Sequence, residues 1–163
     1  MPFLIDREVK KWGKSIIANG TPNLGAFDLF YIFFWVGLAT GKKIQSAGID
    51  REATGTGKSY TKSYKHIKEM LSAVVVMSTS KSSGFTSQKT ITSAIDKYMD
   101  SDSETELSSH GEELMMSYVQ GGFEHMRQLV KKPTESDLFV HKAYQEIEKG
   151  FAKNKDWNFS QTK

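Results

Sequence analysis

Seven cations crowd one stretch of the chain: Lys42, Lys43, Arg51, Lys58, Lys62, Lys65 and Lys68, opposed only by Asp50 and Glu52. Cations on one surface hold phosphates, and phosphate contacts need no strict spacing. Lysine outnumbers arginine in this set, which favours gripping a backbone over reading bases. A solvated surface with chance clustering accounts for the same residues. The net charge of +3 is uneven: residues 1–75 carry eleven Lys/Arg and six Asp/Glu, residues 76–163 eleven and thirteen. The local excess of positive charge is therefore a candidate footprint for a polyanion.

Other chemistry is less well specified. Residues 53–59, ATGTGKS, have the look of a phosphate-binding loop. That loop needs a glycine five positions before its Gly-Lys-Ser and a buried strand ahead of it. Glu52 stands where the glycine is needed, and a polar loop precedes it. A Gly-Lys-Ser at a helix start can still hold a nucleic-acid phosphate, or be a flexible loop and a cap. The histidines, His66, His110, His125 and His141, lack zinc-ligand spacing. Glu113, Ser117, Gln120 and Glu124 share a helix face, and the two carboxylates are candidate ligands for a hard cation such as Mg²⁺ or Mn²⁺. A solvated face explains them too. No Ser-His-Asp set can be picked out, so the catalytic residues stay unknown. With no cysteine, disulfides and thiolate chemistry are excluded.

The elements that must position these groups read as all-α: a compact bundle of about five to six helices around one buried aromatic helix. That helix lies within residues 24–44, where Phe27, Phe30, Tyr31, Phe33, Phe34 and Trp35 fall in nine positions. Each ring hides roughly 150–250 Å² when buried, and a helix apolar almost all round is covered on most sides. It is too short for a membrane span of about 20 apolar residues. It ends at Gly41-Lys42-Lys43, so the most apolar element delivers the chain into the most cationic surface. Asp28, near its start, has no assigned purpose.

Ahead of it, residues 3–17 repeat Ile5, Val9, Trp12 and Ile16 at helical spacing, with Lys10, Lys11 and Lys14 off the stripe. From Lys58 to Met77 the period places Tyr60, Tyr64, Ile67, Leu71 and Val74 on one face and Lys58, Lys62 and Lys65 opposite. A short helix from about 86 to 99 turns Ile91, Ile95, Tyr98 and Met99 inward. A long helix over about 108–131 opens with the capping-box spacing of Ser109 and Glu112 and stops at Lys131-Lys132-Pro133. Gly121-Gly122 within it costs roughly 1 kcal/mol each against alanine, an expense that implies another backbone close by. A last helix starts near Thr134 and Asp137. The expected organisation is one helical domain over 1–163, with flexible loops near 45–57 and 78–106 and an irregular tail from about 154. Charges within the first eight residues and the lack of a signal-length apolar run point to a cytoplasmic protein with no membrane association.

Two segments resemble a known family. GTPNLGAFDLFYIFFWVGLA (20–39) is similar to a Thr-Pro-Asn turn leading into an apolar helix. HGEELMMSYVQGGFEHM (110–126) is similar to a Gly-x-Glu-Leu segment followed by a Tyr and a Gly. In this order they resemble the small helical DNA-binding subunit of bacterial DNA phosphorothioation systems, of the Dnd type and its Ssp counterpart. The resemblance implies duplex DNA, often nicked, held by surface lysines on a helical homo-oligomer beside other subunits of a DNA-modification system. For the Ssp counterpart it implies a nicking endonuclease in sulfur incorporation and phage defence, with Mg or Mn as the metal if DNA is cut. The expected function is thus DNA binding, with metal-dependent nicking as its extension. The alternative is a non-enzymatic helical adaptor assembling a DNA-modification or defence complex.

Overall fold

A computed structural model of the chain describes residues 4–19, 24–45, 51–53, 60–80 and 87–153. The fold is all-α. The α-helices are α1 (Arg7–Asn19), α2 (Ala26–Thr40), α3 (Lys68–Met77), α4 (Gln88–Tyr98), α5 (Ser109–Leu129) and α6 (Ser136–Lys153), with a 3-10 helix over Lys62–Ile67. None of the described helices is long and apolar enough to cross a membrane. The chain divides into two compact units, one drawn from residues 4–54 and 116–163, the other from 55–115.

The first unit is built on α2. Phe30, Phe33, Phe34, Leu29 and Val36 are fully buried and Phe27 nearly so, as the aromatic run requires. Asp28 now has a purpose: its Oδ2 accepts the Gly25 N–H at 2.6 Å, closing the helix start, where the helix dipole also favours a carboxylate. Backbones meet without side chains between them. A Cβ on Gly37 would lie 1.9 Å from the Tyr118 carbonyl oxygen, and one on Gly122 would lie 1.9 Å from that of Phe33. The close approach inferred from Gly121-Gly122 is real on both counts, because Gly121 faces the Lys42 carbonyl in the same way.

Residues 4–6 are not helical. They form a strand, Leu4–Asp6, antiparallel to Arg51–Ala53 with Ile5 opposite Glu52. The reason is local: Asp6 Oδ1 accepts the Glu8 N–H at 2.8 Å, so Asp6 starts the helix and the residues before it are free to extend. Part of the stretch near 45–57 is therefore paired β-structure rather than loop.

In the second unit the expected helix from Lys58 to Met77 breaks in two. Residues 62–67, KSYKHI, wind as 3-10 and only Lys68–Met77 is α. Ser, Tyr and His are mediocre helix formers, and Tyr60 just ahead is pulled in to 3 % exposure. Burial pushes its hydroxyl's pKa up, the hydrogen bond with Ser72 opposes the rise, and the Glu106 and Glu112 carboxylates add to it. Ile91 and Ile95, expected inward, are 40 % and 41 % exposed; α4 buries Ala94 instead. The stretch 99–108 is hydrogen-bonded rather than open. Met99 bridges Leu107, Asp100 N–H donates to the Glu106 carbonyl, and Ser108 N–H donates to that of Tyr98. Ser108, not Ser109, caps α5: its hydroxyl accepts the Gly111 N–H at 3.2 Å and donates to the Lys97 carbonyl at 2.6 Å. Glu112 instead accepts the Thr105 hydroxyl at 2.9 Å. The tail from 154 lies outside the described residues.

Candidate nucleic-acid interface

The described cations among the seven expected divide between the two units. Lys42 and Lys43 belong to the first unit, on the segment leaving α2. That exit is fixed: Lys42 N–H donates to the Gly37 carbonyl at 2.9 Å and Ile44 N–H to that of Ser117 at 3.0 Å. Both lysines are exposed, and the Lys43 ammonium sits 5.0 Å from the centre of the Tyr118 ring. Arg51 lies on the short strand, and Lys58 falls outside the described residues. Lys62 and Lys65 are exposed in the second unit, and the 3-10 winding superposes them along one edge. Lys68 is already matched: Glu106 lies 2.5 Å away, and this hydrogen bond holds the ammonium above its ordinary range. Glu106 makes the bond from a left-handed backbone, φ 59°.

The carboxylate pair proposed for a metal does not converge. Glu113 and Glu124 stand on the same helix, separated by roughly 16 Å at about 1.5 Å per residue. One ion cannot touch both. Glu124 is also engaged by Arg127 at 2.6 Å and by the Gln128 amide. No group of three His, Asp or Glu side chains able to hold an ion occurs among the described residues.

The first unit instead assembles a site from residues far apart in the chain. On α1, Glu8, Lys11 and Trp12 follow the i, i+3, i+4 stripe. On α5, Phe123 and Arg127 are four apart, and the next step along that stripe is Lys131, just past the helix end. The Trp12 indole N–H donates to the Lys131 carbonyl at 3.0 Å, tying the end of one stripe to the other. Around this bond lies a cleft of about 320 Å³ lined by Glu8, Lys11, Trp12, Phe123, Arg127, Lys131 and Lys132. Its floor is aromatic. Trp12 packs edge-on to Phe123 and Phe139 and tilted against Phe33, at 5.6–6.0 Å between ring centres. Phe123 is buried beneath, and the Arg127 guanidinium stands over its ring at 5.6 Å.

The charges of the cleft are unequal. Arg127 is paired at both Nη atoms, with Glu124 at 2.6 Å and Glu8 at 3.3 Å. Lys11, Lys131 and Lys132 are exposed and have no carboxylate partner among the described residues. Three unmatched ammonium groups over an apolar floor will concentrate anions, since low-dielectric walls strengthen their field. The sequence showed Lys11 only as off-stripe and Lys131-Lys132 only as a helix stop. The usable signal was a charged residue four from an aromatic on each stripe, Glu8 with Trp12 and Arg127 with Phe123.

The second unit has a cleft of its own, about 380 Å³, lined by Lys89, Thr90, Ser93, Ala94, Lys97 and Tyr98. All six belong to α4, and the Lys97 ammonium lies over the Tyr98 ring at 5.2 Å.

No family model matches the chain, and no curated protein or solved structure is significantly similar to it.

Proposed function

We propose that this chain binds DNA by its phosphate backbone, through the cleft cations Lys11, Lys131 and Lys132. The supporting observation is that these three lysines are drawn together over an aromatic floor without carboxylate partners among the described residues. In the reading suggested by residues 20–39 and 110–126, it is the DNA-holding subunit of a phosphorothioation or phage-defence system. Its partners there are double-stranded DNA, further copies of itself and other subunits. The cleft offers cations and apolar surface, and its lining carboxylate, Glu8, is engaged by Arg127, so it fits holding rather than cutting. Metal-dependent nicking with Mg²⁺ or Mn²⁺ is the further step of the same reading.

The test is a duplex-binding titration over a range of salt. Each lysine that neutralises a phosphate adds about 0.9 to the slope of log affinity against log salt. Changing Lys11, Lys131 and Lys132 to Gln should make the slope shallower by almost 3 and weaken binding by about 10²-fold at low salt. Changing Lys62 and Lys65 to Gln should do much less. A reversed ranking would move the interface to the 3-10 edge, and affinity flat across salt would sink the electrostatic reading. Incubation of supercoiled plasmid with Mg²⁺ or Mn²⁺ decides the nicking step: open circles support it, and persistent supercoil at high protein ends it.

An adaptor is the second reading. Leu138 and Tyr144 on α6 are 60 % and 57 % exposed and so open to a partner. Capture of partner subunits with no DNA retained would favour it.

A further inference from the structure

The cleft contains one residue whose charge works against the others. Glu8 lines it among four cations and reaches the Arg127 Nη1 at 3.3 Å. A guanidinium offers two edges to planar anions. Here Nη2 goes to Glu124, at 2.6 Å and three residues away on the same helix, and Nη1 goes to Glu8 across from α1. The two contacts differ in permanence. Glu124 has 28 % of its side chain exposed, Glu8 has 65 %, and the Glu8 bond is longer by 0.7 Å. Glu8 also stands in the first turn of α1. The positive end of that helix and the surrounding water stabilise its carboxylate when it leaves Arg127. Phe123 supports the guanidinium from below, so the arginine stays in place when Glu8 goes.

We infer that Glu8 is an internal competitor that occupies the anion-facing edge of Arg127 until a phosphate displaces it. Arg127 is then the fourth cation of the interface, held in reserve. The three unmatched lysines attract the polyanion, and only a phosphate seated deep enough to remove Glu8 gains the arginine contact. The device discriminates against monatomic anions, because chloride offers no bidentate replacement for the lost pair. This inference rests on the DNA-binding reading above and assigns its regulation.

The experiment measures duplex affinity for the wild type, Glu8→Gln, Arg127→Gln and the double variant, at one low salt concentration. Glu8→Gln should bind about fivefold tighter, the size of one unit-charge interaction at about 4 Å in water. In the Arg127→Gln background the same change should gain less than about twofold, because the competition is gone. A second readout follows the side-chain carboxyl ¹³C shifts of the wild type on adding DNA. The Glu8 signal should move toward that of a free carboxylate while Glu124 stays put. If Glu8→Gln gains nothing, or gains equally without Arg127, or the Glu8 signal does not move, the inference is wrong although DNA binding stands. If the wild type holds no duplex at low salt, the DNA-binding reading and the inference fall together.

Discussion

Replacing Gly122 by alanine sets two physical effects of opposite sign against each other. Alanine is the better helix former by about 1 kcal/mol, so a helix judged alone would be stabilised. The added Cβ would lie 1.9 Å from the Phe33 carbonyl oxygen and 2.8 Å from the Gly37 nitrogen. A comfortable carbon–oxygen contact is about 3.3 Å, so α2 and α5 must separate by about 1.4 Å at this point. Nothing soft can give way, because the atoms in contact are backbone. Facing the clash from the other side, a Cβ on Gly37 would lie equally close to the Tyr118 carbonyl oxygen. Overpacking of this kind costs about 3 kcal/mol. After the propensity gain the expected loss is about 2 kcal/mol, or about 4–8 °C in Tm for a chain of this size. Urea unfolding followed by circular dichroism measures it. Gly41→Ala is the control. Its backbone is left-handed, φ +68°, but nothing lies within 4 Å of a Cβ there, so it should cost only about 1 kcal/mol. A Gly122→Ala protein as stable as the wild type, or more so, would refute the backbone-contact account of the α2–α5 packing.

Two further outcomes are expected besides those for the cleft lysines and Glu8. Ser108→Ala should lose about 1 kcal/mol of stability, because its hydroxyl caps α5, while Ser109→Ala should stay within about 0.5 kcal/mol; thermal melts of the pair decide which serine is the cap. Glu146 is expected to govern acid stability. The hydrogen bond from His125 at 2.9 Å, with Lys149 and Lys142 beside it, lowers its pKa from 4.5 to about 2. A carboxyl lowered in the folded state stabilises the fold above its unfolded value and loses that contribution as pH falls from about 4.5 to about 2. A shift of that size corresponds to about 3 kcal/mol, screened by water at the open side of the pair to about 1–2 kcal/mol. Glu146→Gln should lose that amount at pH 7 and flatten the dependence between pH 4.5 and 2; an unchanged acid limb would show that another group governs it.

Much of the fold was legible in the sequence because it follows from local cost. Aromatic rings at this density along α2 cannot stay in water, so α2 had to be central and buried. Two adjacent glycines inside α5 are expensive unless a backbone needs their space, so Gly121-Gly122 announced a contact, although not that Phe33, Gly37 and Lys42 would supply it. Where local preference was weak, periodicity misled. In KSYKHI two lysines are outnumbered by mediocre helix formers, and the segment winds as 3-10 beside the buried Tyr60. Ile91 and Ile95 fit an inward stripe on spacing alone, yet Ala94 is the residue the packing admits. The capping box at Ser109 failed by one residue, because Ser108 could also bond the Lys97 carbonyl, a partner found only in the folded chain. The cleft was the least legible part. A run of cations can be counted, but whether each is free depends on partners brought by tertiary structure, and Glu106 matches Lys68. The cleft itself joins α1 to the end of α5, segments more than a hundred residues apart, through one indole N–H and one carbonyl. Composition settled that this chain carries excess positive charge and a buried aromatic helix. Only the packing of that helix decided which lysines stand together, because electrostatic fields depend on distance in space and not on distance along the chain.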